Sequence, residues 1–251
     1  MRFLFIIVLI FITNNLYSQQ NSNPFISGEK YSFDIYFGFI KAGSASLEVF
    51  SDTINNSSKN LLMIGKGKTA PFFDYFFKVR DEYRTIFDCS ELVPIVFDRN
   101  ISEGRFKLTQ RYLFDHALKK VTTNDTVFRF TNSPQDMLSA LFFARTINRN
   151  VIGLDTIIVI PIFMDNEMFN LEIKYLKTEI LRTPFGGIEC LVFQPSLQKG
   201  RVFEDGESMK IWISNDANKS LIRVETKIWA GTIKAVLKSH EGLQYPLSIN
   251  D

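Results

Sequence analysis

The stretch Tyr31-Ser32-Phe33-Asp34-Ile35-Tyr36-Phe37 decides the fold class. Tyr31, Phe33, Ile35 and Phe37 fall on one side, and Ser32, Asp34 and Tyr36 on the other. A period of two is that of a strand with one buried face. The same alternation returns along the chain. Ala45, Leu47 and Val49 oppose Ser44, Ser46 and Glu48, and Phe169, Leu171, Ile173 and Tyr175 oppose Asn170, Glu172 and Lys174. Ile222, Val224 and Ile228 oppose Arg223, Glu225 and Lys227, and Ile233, Ala235 and Leu237 oppose Lys234 and Lys238. Such segments suit antiparallel strands with one apolar face. Asp155 to Phe163 differs: Ile157-Ile158-Val159-Ile160 is apolar on both sides and reads as a central strand.

Breaks between these runs carry turn chemistry. Asp205-Gly206 favours a hairpin, since both central residues of a type I′ turn need positive φ; it would join Arg201–Glu204 to Ser208–Ser214. Thr183-Pro184-Phe185-Gly186-Gly187 and Asn215-Asp216-Ala217-Asn218 separate further strands. One segment changes period. Ser133 offers a capping hydroxyl, Pro134 suits a first helical position, Asp136 places an acid in the first turn, and Met137, Leu138, Leu141, Phe142 and Arg145 follow at helical spacing. Pro71 to Phe77, with five aromatic side chains, reads as a helical turn or a strand. The expected fold is mainly β: a strongly curved antiparallel sheet, or an open barrel or sandwich, with one packed amphipathic helix over Pro134–Asn148.

Composition narrows the classes further. The 251 residues are 45% hydrophobic and 22% charged, with a net charge of +2, which excludes a disordered tail, a polytopic membrane protein and the electrostatic footprint of a nucleic-acid binder. Phe is the outlier: 25 residues, about twice its ordinary share. Met1-Arg2, the apolar run Phe3–Ile12 and the exit Leu16-Tyr17-Ser18 have the three-part form of a secretory signal peptide. Residues 1–18 are therefore expected to be removed, 19–27 to form a disordered leader, and 28–251 a single β-rich domain in the periplasm or outside the cell. The apolar run is too short to span a bilayer well, so no integral span is expected after cleavage.

Residues able to do chemistry are few. Cys89 and Cys190 have one possible pairing, permitted by export, but Cys190 within Ile188–Val192 reads rather as a free, buried thiol in a strand. His116 and His240 lack local metal partners, so no metal site and no cofactor are expected. Gly65-Lys66-Gly67-Lys68 lacks the spacing of a phosphate loop. Asp74, Asp81, Glu103 and Asp136 are acids flanked by apolar residues, and two of them held about 5 to 10 Å apart would suit glycoside hydrolysis. Ion pairs with Arg80, Arg84, Arg99 and Arg145 are the plainer use for them. Excess Phe can fill a core, or line the inside of a curved sheet around a ligand. In the second case an acyl chain would lie inside, Arg80, Arg99 or Arg111 at the rim would pair an anionic headgroup, and the helix at Pro134 would serve as a lid.

Several stretches in order carry a resemblance. They are Gly28-Glu29-Lys30-Tyr31, Gly38–Gly43, Phe77–Asp81, Pro94–Gly104, Pro134–Ala140 with Arg145, Thr183–Gly186 before Cys190, Ile211-Trp212-Ile213-Ser214, and Gly231. Together they resemble the exported domain-of-unknown-function 3108 family of Gram-negative bacteria, with a Bacteroidetes-like signal exit at Ser18-Gln19. The resemblance implies a mostly β envelope protein and carries over no catalytic residue. Three readings follow. A non-enzymatic envelope protein would bind a lipid, a lipidated chain or another hydrophobic ligand, and an apolar cavity above about 300 Å³ would favour it. An envelope scaffold would have a filled core. A carbohydrate-active enzyme would face two carboxylates across a groove.

Overall fold

The computed structural model describes residues 24–52, 59–124, 126–154, 156–196, 208–228 and 231–250. The expected signal peptide and the Asp205-Gly206 turn lie outside the described residues. The first half of the chain gives β1 (Lys30–Phe37), β2 (Ile40–Ser51), β3 (Asn60–Thr69), α1 (Pro71–Asp74), β4 (Arg80–Asp88), β5 (Val93–Glu103), β6 (Phe106–Asp115), β7 (Lys120–Thr123) and β8 (Thr126–Arg129). The second half gives α2 (Met137–Thr146), a single 3-10 turn (Arg149–Val151), β9 (Ile157–Met164), β10 (Glu167–Thr183), β11 (Gly186–Pro195), β12 (Ser208–Ser214), β13 (Leu221–Ile228) and β14 (Gly231–Glu241).

All of these strands belong to one antiparallel sheet in the order β8-β7-β6-β5-β4-β3-β2-β1-β14-β13-β12-β11-β10-β9. The first and last strands meet in the middle, where Phe37 pairs with Ile233 and Lys30 with Glu241. Each half of the chain then meanders outward, to edges at β8 and β9. The alternation read in the sequence is the pairing register: Tyr31 lies opposite Leu47, and Phe33 opposite Ala45. Strands succeed one another without crossing, which is the low-entropy way to join neighbours by short turns.

The sheet is strongly curved. Helix α2 packs against β3, β4 and β5 on one side and β9 on the other. β4 and β9 stand nine places apart in the sheet. Laid flat they would be about 43 Å apart at the usual strand spacing of about 4.8 Å, whereas a helix is only about 10 Å across. The sheet therefore wraps around α2. Its two ends also approach through side chains. Phe163 of β9 lies 4.9 Å from Tyr112 of β6 and 5.2 Å from Phe128 of β8, ring to ring. The two edges exchange no backbone ladder among the described residues, so the barrel stays open along this seam.

Ten of the 25 Phe side chains go into two clusters. The larger joins Leu138 and Phe142 of α2 to Phe25, Tyr31, Phe33, Leu47, Met63 and Phe87, and runs on to Ile188, Cys190 and Val192 under the tail residues Leu243 and Leu247. The second holds Phe97, Tyr112, Phe114, Phe130 and Phe163 at the seam.

Three sequence expectations need correction. The strand at Ile157 is an edge strand, not a central one. It is apolar because Ile160 and Ile162 pack on α2 and Phe163 closes the seam, while Ile157 and Val159 stay exposed. The helix begins at Met137, not Pro134. Gln135 is extended, donating to Pro161 O at 2.8 Å and accepting from Phe163 N at 2.9 Å. Asp136 is the cap, its Oδ1 accepting from Leu138 N and Ser139 N, both at 2.8 Å, while Ser139 Oγ accepts from Asp136 N at 2.8 Å. Finally, Pro24 and Phe25 belonged to the expected leader, yet both are buried and Phe25 sits in the core. Pro71–Asp74 is the helical turn rather than the strand.

Candidate functional site

Helix α2 fills most of the concavity but not all of it. Its Ala140 and Ala144 pack towards β9, and their short side chains leave space in front of Leu171, Leu191 and Ile213. The result is an apolar cavity of about 190 Å³, walled by Leu141, Ile158, Leu171, Ile173, Leu191, Phe193 and Ile213. That is below the roughly 300 Å³ expected of a full ligand pocket. The cavity is smaller because the helix docks inside the curve and fills it.

Two anchors hold α2 in place. At its N-terminal end the buried Asp136 carboxylate caps the helix and accepts from Thr85 Oγ1 of β4 at 3.0 Å. Burial pushes this acid up to about 6, against the pull of its donors. At the C-terminal end lies a buried ion pair: Arg145 Nη1 donates to Glu29 Oε2 at 2.8 Å and Nη2 to Glu29 Oε1 at 3.0 Å. The same guanidinium donates to Pro24 O at 2.6 Å and Asn218 O at 2.9 Å, between the rings of Phe25 and Phe142, each 5.4 Å away. This one side chain ties α2 to the N-terminal segment and to the β12–β13 turn.

That turn also brings charge to the cavity. Lys219 and Arg149 line the end of the cavity nearest Asn215 and Asp216. Lys219 Nζ donates to Ile147 O at 2.6 Å. Arg149 donates to Asn215 Oδ1 at 3.2 Å and Ile152 O at 2.8 Å. The nearby Asp216 carboxylate is occupied elsewhere, accepting from Ser214 Oγ, Asn218 N, Lys219 N and Ser248 N between 2.8 and 3.1 Å. Lys219 is partly buried, and desolvation followed by the neighbouring Arg145 charge lowers its pKa. Two cations thus rest on neutral acceptors beside an apolar hole. The sequence does not mark them, since a turn lysine and a post-helix arginine are ordinary surface residues until the β12–β13 turn folds against the helix end.

The residues singled out from sequence lie elsewhere. Arg80 is exposed and pairs Asp74 at 2.6 Å. Arg111 pairs Asp98 in two bonds, 2.7 and 2.9 Å, on the outer face. Arg99 is buried at the seam, bonded to Asp165 and to Gln110. None of the three lines the apolar cavity. Arg80 instead borders a wide polar groove of about 800 Å³ over the outer face of β1–β4, among Asp34, Ser44, Lys66 and Glu82.

Of the four acids, the fold brings Asp81 and Glu103 together. Burial, then the Asp81 charge and a hydrogen bond to it, raise the Glu103 pKa. Carboxyls in hydrogen-bonding contact are closer than the roughly 5 Å that leaves room for a sugar. Asp74 is held down by Arg80 and Thr69, and Asp136 serves the helix. His116 Nε2 meets Pro94 O at 2.7 Å, and His240 packs on Phe185. Among the described residues no group of three His, Cys, Asp or Glu could hold a metal ion. Gly65–Lys68 lies inside β3. Cys190 keeps a free thiol, so it is not bridged to Cys89, and burial pushes both up to about 12.

The profile of the family "protein of unknown function (DUF3108)" matches residues 32–238. No curated protein matches the chain. The fold is similar to the crystal structure of a β-barrel-like protein of domain of unknown function DUF1849 from Brucella abortus, with a TM-score of 0.55 and 9% identity, over 85% of this chain and 96% of that one. A Bacteroides fragilis protein with a YmcC-like fold aligns at a TM-score of 0.33 and 9% identity, over 86% of this chain and 97% of that one. No helix among the described residues is long and apolar enough to cross a membrane.

Proposed function

The chain belongs to the DUF3108 family, whose function is unknown, and we propose that it is a non-enzymatic exported envelope protein that holds the apolar end of a small anionic amphiphile between α2 and β9–β12. The observation that supports this is the joining of an aliphatic cavity to two cations, Arg149 and Lys219, that have only neutral acceptors among the described residues. Desolvating an ammonium is costly, and an anionic headgroup offsets that cost. The size of the hole sets the tail. A cavity of about 150 Å³ takes up benzene, so about 190 Å³ takes six to eight carbons. At about 0.8 kcal/mol per methylene that tail contributes about 5 to 6 kcal/mol before the cost of association. A longer acyl chain requires α2 to lift, against both of its anchors. Export rests on the apolar run Phe3–Ile12 and its polar exit.

Native mass spectrometry of the purified protein tests the reading. Incubation with octanoate should give a one-to-one adduct, octylamine should not, and Arg149→Met with Lys219→Met should remove the adduct. A bare mass in octanoate, or equal uptake of octylamine, refutes it. A second reading, an envelope scaffold, is favoured by the extent to which α2 and Phe side chains fill the concavity. In that reading the exposed flank of β9 at Ile157 and Val159 would add a partner strand.

A further inference from the structure

The turns at one end of the sheet carry aromatic side chains in water. By the pairing register, the β1–β2 turn, the β3–β4 connection and the β5–β6 turn all lie at the same end. From the first projects Phe39, 92% exposed; from the second Tyr75 and Phe76, 91% and 75% exposed; from the third Phe106, also exposed. The connection carrying α1 is fastened down. Ala70 N donates to Ala42 O at 2.8 Å, Arg80 and Thr69 hold Asp74, and Gly104 N donates to Lys78 O at 2.8 Å. Phe77 lies over Gly104, where a Cβ would come within 3.0 Å of its ring. Tyr75 and Phe76 are thus displayed on a connection held at several points.

We propose that this end docks on an anionic phospholipid bilayer, with the rings entering the interface and the adjoining cations meeting phosphates. Separate tips on neighbouring turns suit a fluid interface better than a single flat partner face. Aromatic rings prefer the depth of the headgroups. The charge fits as well: Phe77-Lys78 and Arg105-Phe106-Lys107 interleave rings with exposed cations, and Arg105 and Lys107 form no ion pair among the described residues. Basic residues next to a membrane are drawn to anionic lipid. The inference is independent of the cavity, whose charged end lies at the β12–β13 turn, at the other end of the sheet.

Flotation with vesicles tests it. The purified protein should float with phosphatidylethanolamine–phosphatidylglycerol vesicles (3:1) and stay behind with phosphatidylcholine alone. The triple variant Phe39→Ser, Tyr75→Ser, Phe76→Ser should lose about tenfold or more in partition, and Arg105→Glu with Lys107→Glu should lose about as much and weaken the salt dependence. Mass spectrometry must first show the same N-terminus in every protein, because a retained Phe3–Ile12 run would itself bind lipid. As a readout that does not depend on removing side chains, Phe76→Trp should shift its emission to the blue on adding the anionic vesicles. Wild-type protein that remains in the buffer, a triple variant that floats equally, or an unshifted indole overturns the proposal. So does a wild-type dimer that the triple variant dissolves while neither protein floats.

Discussion

Replacing Arg145 with Met removes the cation from a site with no access to water. Glu29 is fully buried, and the guanidinium is its partner in two bonds. The same change strips donors from Pro24 O and Asn218 O. Removing one member of a buried pair costs about 3 to 5 kcal/mol, since the other is left uncompensated. For a domain of this size that corresponds to a fall of about 6 to 20 °C in Tm. Urea denaturation of Arg145→Met, Glu29→Gln and the double variant gives the test. The Arg145→Met protein should be the least stable of the three. Adding Glu29→Gln to it should recover at least about 1 kcal/mol, because the buried charge is then gone. If Arg145→Met costs under about 1 kcal/mol, or the double variant is worse than either single one, Arg145 does not anchor α2.

Further outcomes follow from other sites. Asp136 has a folded-state pKa raised to about 6, so the folded chain binds its proton more tightly than the unfolded chain. The contribution of this group to stability is therefore full below about pH 4 and falls as pH rises through about 6, by roughly 3 kcal/mol. Asp136→Asn should match wild type near pH 4 and exceed it near pH 7.5 in denaturation midpoints; a pH-independent difference contradicts this. Gly242 has φ +66°, and a Cβ there would lie 2.2 Å from Gly28 O. Gly242→Ala should cost more than about 2 kcal/mol by chemical denaturation, as neither backbone can yield without disturbing Glu29. Cys190 should resist iodoacetamide at pH 8 until the chain unfolds, because burial pushes its thiol up to about 12; rapid labelling of the native protein would show that the strand opens.

The β class was legible because alternation is local. Tyr31 and Phe33 show the buried face as read, whereas register shifts at Ser32/Phe33 and Ile35/Tyr36 leave Ile35 half-buried and Phe37 exposed. The order of the strands was not, since the pairing of β1 with β14 joins segments about 200 residues apart. The misreading of Ile157–Phe163 has the same origin. Two apolar faces read as a strand covered on both sides, but β9 covers Ile158, Ile160, Ile162 and Phe163, against α2 and the seam, and leaves Ile157 and Val159 exposed. The Pro134 signal located a helix but misplaced its start, because the pairing of Gln135 with β9 holds that residue extended. Arg80, Arg99 and Arg111 were reasonable rim candidates, yet each already has a carboxylate partner. Arg149 and Lys219 became candidates only when the fold placed them beside the cavity without one.

The central claim is a small anionic amphiphile lodged between α2 and β9–β12, and methyl-resolved NMR tests it most directly. Titrating octanoate into protein labelled at Ile, Leu and Val methyls should shift Ile158, Leu171, Ile173 and Ile213 along saturable curves. Val121, in the cluster at the seam, should stay still. Cavity methyls that do not move at saturating octanoate, or shifts spread evenly over both clusters, would contradict it.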